Sequence, residues 1–151
     1  MKYIEYNDEN LKLVSDLIKK NLSPDLLPKS WIQRNARNRD FGHCHNASGC
    51  LYKIFGPDNV KLYRALDDEN IFHWWIVDKN GKLIDLTVGQ YTEEGRIPPH
   101  AKGEKASPLG FEYKKRVAKL TKKVGEELIA LGFDYEIEKE DYDTIERFFD
   151  V

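Results

Sequence analysis

The sequence predicts an α+β domain, and three observations predict it. Segments of helical period stand before and after a run rich in β-branched and aromatic residues. Inside that run, residues 72–77 and 82–87 are separated by Asp78-Lys79-Asn80-Gly81, which has the chemistry of a hairpin turn. The chain has 151 residues, 40% of them apolar, which is enough for one hydrophobic core and argues for a single domain over 1–151.

The elements follow in order. Residues 1–6 read as a short strand or an extended lead-in. Asn7 or Asp8 caps a helix running to about Leu22, with Leu11, Val14, Leu17 and Ile18 as its buried stripe, and Ser23-Pro24 stops it. Residues 25–40 are irregular or short-helical and carry Trp31 beside Lys29, Arg34, Arg37 and Arg39. Arg39-Asp40-Phe41-Gly42 turns into a helix that has Cys44 in its first turn. Ala47, Leu51, Ile54 and Phe55 follow on the same side, and Gly56-Pro57 ends the run. Residues 60–65 and 72–77 are strands, and 82–87 returns as a third. Residues 88–110 hold Pro98-Pro99 and little periodicity, and a loop of that length is usually functional or mobile. Residues 111–131 form a helix with Val117, Leu120, Val124, Leu128 and Leu131 on one face and its lysines in solvent. A last strand at 133–137 and a short acidic helix at 141–149 complete the reading.

Charge and composition exclude several classes. Lys and Arg number 24 against 26 Asp and Glu, so nothing in the balance calls for a nucleic-acid or membrane partner. No apolar run approaches the roughly 18 residues of a membrane span. The N-terminus lacks the pattern of a signal peptide. The two cysteines, Cys44 and Cys50, point to different faces of one helix and are poorly placed for a disulfide. A reducing, cytoplasmic setting is the expectation.

A thiol at a helix N-terminus is chemically special. The free N–H groups and the helix dipole favour thiolate, and such a position lowers a cysteine pKa from about 8.5. Cys44 is therefore expected to be more acidic than Cys50. A thiolate nucleophile also needs a base and a group that orients the base. His73 and Asp85 fill these roles if they share a face of the hairpin, and that depends on the loop. A two-residue loop at Asn80-Gly81 sets them on opposite faces. A three-residue loop, Lys79-Asn80-Gly81, pairs Asp78 with Lys82 and brings His73, Trp75, Asp85 and Thr87 to one face. Asp78 and Gly81 favour this second register. His73 and Asp85 then stand roughly 7 Å apart at the backbone, within side-chain reach. The Cys44 N–H and a side-chain donor from Asn38 or Gln33 are candidates for an oxyanion site. His43, Trp75 and Gln90 are candidates for substrate contact.

Each residue also has a plainer reading. Cys50 is a small buried apolar residue, and Cys44 alone would be read the same way. His73 before two tryptophans is commonly a packed strand histidine, and Asp85 a residue that bonds backbone at a strand end. His43, Cys44 and His45 are consecutive and cannot converge on one ion from a helix. Cys50, His73 and Asp85 lack zinc-site spacing, so no metal and no cofactor are expected.

Together, Gly42-His43-Cys44 opening a helix, His73-Trp74-Trp75 on a strand and Leu83-Ile84-Asp85-Leu86-Thr87 on the next resemble the transglutaminase-like branch of the papain-like cysteine enzymes. The pattern is also similar to small uncharacterised proteins of phages and bacteria. The matched region, 42–91, is about a third of the chain, and any one motif alone is common. The tryptophan that members often carry near the cysteine is replaced by His45-Asn46. The resemblance implies a papain-like core, in which a helix carrying the cysteine packs on a small antiparallel sheet carrying histidine and aspartate. It implies hydrolysis or transfer of an acyl group from a peptide, amide or small-molecule substrate through Cys44, His73 and Asp85. Two rivals stand beside it. One is a binding module for a small or nucleotide-like ligand on the same scaffold, in the manner of a phage counter-defence protein. The other is a structural or protein-interaction domain.

Overall fold

Asn7 begins the first helix as the sequence predicts: its side-chain oxygen accepts from the N–H of Asn10 at 2.8 Å. A computed structural model describes residues 3–107, 111–139 and 141, with backbone alone for 111–114. Helix α1 (Asp8–Asn21) carries Asp8 and Glu9 in its first turn and Lys19 and Lys20 in its last, matching the helix dipole at both ends. It buries Leu11, Val14 and Ile18. Two 3₁₀ turns (Pro24–Leu26 and Lys29–Trp31) and the short helix α2 (Ile32–Arg37) lead to the central element.

That element is α3 (Cys44–Phe55). Gly42, at φ +85°, allows the tight entry, and Gly56, at φ +88°, ends the helix. Every residue from Cys44 to Leu51 is buried. One side of α3 packs on the sheet, and the other meets α1 and α5 (Phe111–Ala130). A helix buried all round needs apolar or small residues on every face, and Ala47, Ser48, Gly49 and Cys50 supply them.

The sheet is antiparallel, in the order β3-β2-β1-β4, with β1 at Val60–Leu66, β2 at Phe72–Asp78, β3 at Leu83–Ile84 and β4 at Glu104–Lys105. The architecture is thus mixed helix and antiparallel sheet, an α+β fold. The hairpin has the three-residue loop. Ile76 pairs with Ile84 and Val77 with Leu83, and Asp78 N–H donates to the Lys82 carbonyl. Asp78 Oδ1 accepts from Asn80 N–H and Lys82 N–H, each at 2.9 Å, and Gly81 sits at φ +83°.

On β2, Trp74 and Ile76 join Val60, Leu62 and Ile84 in the core under α3. His73 and Trp75 face the other way, yet both are buried. The segment after β3 covers them: helix α4 (Gly89–Thr92) brings Tyr91 against His73, and a 3₁₀ turn (His100–Lys102) brings His100 against Trp75. A Cβ on Gly103 would lie 2.3 Å from Trp75 Cζ2, so only glycine fits there. Covering both faces replaces the expected period-two alternation with near-continuous burial.

Three expectations need correction. The third strand is two residues long, because Asp85 leaves the ladder for side-chain partners. Residues 133–138 form no strand; Phe133 and Ile137 pack on the core from irregular backbone. Leu131 is 60% exposed rather than part of the apolar face of α5, which ends at Leu128. Along α5, Lys119 pairs with Asp25 and Lys122 with Glu126. The acidic segment 142–149 lies outside the described residues. Among the described residues, no helix is long and apolar enough to cross a membrane.

Candidate active site

Because β3 stops at Ile84, one edge of β2 is left without a strand. Asp78 N–H points to the β3 side, and backbone direction alternates, so the polar groups of Trp74 and Phe72 face that same open edge. The start of α3 docks there. The Cys44 thiol donates to the Phe72 carbonyl at 3.8 Å, and the N–H groups of Trp74 and His45 point at its sulfur. The residue between Phe72 and Trp74 is His73.

Asp85 and His73 are joined as the hairpin register requires: His73 Nε2 lies 2.6 Å from Asp85 Oδ2. Their side chains are 0% and 3% exposed. Burial raises the Asp85 pKa, but the bond and charge of His73, the bond from His100 and the N–H of Thr87 outweigh it and hold the carboxyl below its usual range. At neutral pH Asp85 is therefore ionised and accepts only, so His73 Nε2 carries the proton. Its Nδ1 is buried and without a hydrogen-bond partner. Asp85 Oδ1 is held by Thr87, from N–H at 3.1 Å and from Oγ1 at 3.4 Å.

His100 completes the cluster. Its Nε2 lies 2.7 Å from the same Asp85 Oδ2 that His73 engages. Sequence reading passed over His100, because nothing local ties a histidine after two prolines to a strand aspartate fifteen residues earlier. The three ligand-type atoms lie within 4.8 Å of one another, a size that fits an ion. Tetrahedral zinc ligands at about 2.0–2.1 Å from the metal stand roughly 3.3 Å apart. The observed 2.6 and 2.7 Å are hydrogen-bond lengths and fit protons.

Cys44 lines a groove of about 350 Å³ whose walls include Trp31, Phe72, Trp74, His45 and Asn46. The His45 ring meets Trp74 edge-on at 4.5 Å. Burial pushes the His45 pKa down to about 3 and that of His43 down to about 4, so both rings are neutral at pH 7.

The other sequence candidates are placed elsewhere. His43 is 1% exposed, faces Asn46 Nδ2 at 3.4 Å and does not line the groove. Trp75 shares the face of the sheet with His73, as the register predicts, with its ring 5.7 Å from the His73 ring and stacked on Tyr63, and it does not line the groove. Gln90 is buried, and its backbone carbonyl accepts from Asn38 Nδ2 at 2.9 Å. That Asn38 nitrogen also reaches Glu94, so its protons are already engaged. Gln33 is exposed on α2. For His43, Gln90 and Asn38 the packing of distant segments decides the placement, and that is not visible one residue at a time.

The expected acidity of Cys44 is not found. Burial pushes its thiol up to about 12, against the opposing pull of the Trp74 N–H, and burial pushes Cys50 up to about 12 as well. A helix terminus contributes about 0.3–1 kcal/mol at exposed sites, whereas full burial of a charge shifts a pKa by up to 3–5 units. The alkylation rate of resting Cys44 by iodoacetamide is therefore expected to climb steadily from pH 7 to pH 10. A plateau near neutrality would show a thiolate already formed.

No protein-family model, curated protein or solved structure matches this chain.

Proposed function

We propose that this protein is a cysteine hydrolase or acyltransferase in which Cys44 is the nucleophile, His73 the base and acid, and Asp85 the group that orients His73. The observation that carries the reading is the buried His73 ring, with Nε2 bound to Asp85 and Nδ1 without a hydrogen-bond partner, next in sequence to Phe72, whose carbonyl accepts from the Cys44 thiol. A base in that state is oriented and lacks only its proton donor. The arrangement agrees with the resemblance to the transglutaminase-like, papain-like enzymes.

The resting thiol is held by the Phe72 carbonyl. In the reaction Cys44 gives that bond up. Its proton passes to His73 Nδ1 as sulfur attacks an acyl carbon, and Asp85 balances the imidazolium. The same proton then goes to the leaving amine or alcohol as its bond to the acyl carbon breaks, leaving a thioester on Cys44. Water or an amine, deprotonated by Nδ1, attacks the acyl carbon; the C–S bond breaks, and Cys44 recovers the proton from Nδ1 as the acid or amide leaves. The first-turn N–H groups of α3 face the developing oxyanion; Asn38 and Gln33, as placed, do not. Trp31, Phe72 and Trp74 suit an apolar acyl group on a peptide, amide or small molecule. The cycle needs no cofactor and no metal, and we assign no nucleic-acid or membrane partner.

The thiol's high pKa and its bond to Phe72 favour a second reading, a module that binds a small molecule in the groove without turnover. Incubation with aryl thioesters of apolar acids, followed by intact-mass and peptide mapping, separates the two. The enzyme reading expects a stoichiometric acyl adduct on Cys44, with Cys50 untouched. Groove binding without any adduct, or adducts on lysines alone, would sink it.

A further inference from the structure

Asp85 Oδ2 receives two imidazole donors, and only one of them belongs to the proposed triad. His73 lies at 2.6 Å and is 0% exposed; His100 lies at 2.7 Å and is 23% exposed. The two rings are 5.9 Å apart by centroid, and His100 also meets Trp75 at 4.9 Å. Asp85 is ionised and accepts only, so both Nε2 atoms must bring protons. One oxygen shared between two donors gives less of its charge to each. Among the described residues, His100 faces the titratable groups Asp85 and His73 and the apolar Trp75 ring.

We propose that His100 is a positioning residue that sets the strength of the proposed base, by competing with His73 for the same oxygen of Asp85. The proposal rests on the acyl-transfer reading for its purpose, but not for its test. His100 comes from the segment that closes over the far face of the sheet, so the packing of that segment and the basicity of His73 are coupled through one atom. Opening the segment would leave Oδ2 to His73 alone and strengthen its hold on a proton.

Two variants separate donation from packing. His100→Phe keeps an aromatic ring against Trp75 and removes the donor. His100→Gln keeps an N–H and removes the ring. The first readout is the proton resonance of His73 Nε2–H in the full chain carrying Cys44→Ala, where no acyl chemistry exists. The expected result is a downfield move in His100→Phe, as Asp85 shortens its bond to His73, and a near-native position in His100→Gln. The second readout, with Cys44 present, is the pH profile of acylation by an aryl thioester. Its acid limb is expected to move to higher pH by about one unit in His100→Phe, equivalent to tenfold in proton affinity, and to return in His100→Gln.

An unmoved His73 resonance in a folded His100→Phe protein would overturn the proposal. So would a native resonance in His100→Phe with a displaced one in His100→Gln, which would make His100 a packing residue only. Zinc offers a third check, because tight one-to-one binding that His100→Phe abolishes would assign the cluster to a metal. If the resonance moves as expected while no acylation occurs in any form, the His100 assignment stands and the acyl-transfer reading fails.

Discussion

Asp85→Asn is expected to slow acylation of Cys44 by about 10³–10⁴-fold while the protein stays folded. Asparagine nearly matches aspartate in shape, but it offers one acceptor oxygen and one two-proton nitrogen. Around Asp85, both oxygens meet donors only: His73 and His100 on Oδ2, Thr87 N–H and hydroxyl on Oδ1. Whichever way the amide turns, its NH₂ faces a donor. If it faces His73, the ring is driven to the other tautomer and Nδ1 acquires the proton it must lack to act as a base. If it faces Thr87, His73 keeps its tautomer but loses the charge that stabilises its protonated form. Single-turnover acylation, with circular dichroism as the check on folding, measures the loss. A variant within tenfold of wild type would remove Asp85 from the mechanism.

Phe55→Ala should have the largest effect on stability, a loss of about 3–5 kcal/mol. Phe55 is 0% exposed, packs in the core cluster and meets Tyr6 edge-on at 5.1 Å. Alanine leaves a cavity between α3 and the chain's lead-in, where Ile4 N–H is bonded to the Ile54 carbonyl. A domain of this kind has roughly 5–15 kcal/mol in all, so the urea midpoint should fall by a large fraction of its native value. Phe55 is also at the far end of α3 from Cys44, roughly 16 Å away along the axis. The folded fraction should therefore acylate at the native rate. A loss below about 1 kcal/mol would contradict the burial that places α3 at the centre of the core.

The sequence and the structure agree most closely where the controlling chemistry is local. The Asn7 cap, the stop at Gly56 and the hairpin loop each depend on a few neighbouring residues. Asp78 and Gly81 select the register by themselves, since one accepts the turn N–H groups and the other tolerates positive φ. That register in turn puts His73 and Asp85 together, so the heart of the candidate site was legible from residues 72–87.

The rest was decided by segments far apart in the chain. Helical spacing placed Cys44 in a first turn, but it could not show that β3 would end at Ile84 and leave the strand edge on which the thiol now sits. A helix terminus is a local property and argued for an acidic thiol. Burial is a property of everything packed around the atom, and it pushes the thiol the other way. Residues 88–107 carried no periodicity to read, yet they bring Tyr91, His100 and Gly103 onto the face of the sheet that holds His73 and Trp75. What the sequence determined by itself was helices α1, α3 and α5, strands β1 and β2, the hairpin register and the pairing of His73 with Asp85, because backbone preference and period-two geometry act over a few residues. Only the tertiary structure decided the environment of Cys44 and the second donor on Asp85, because desolvation and long-range hydrogen bonds exist only once distant segments have packed.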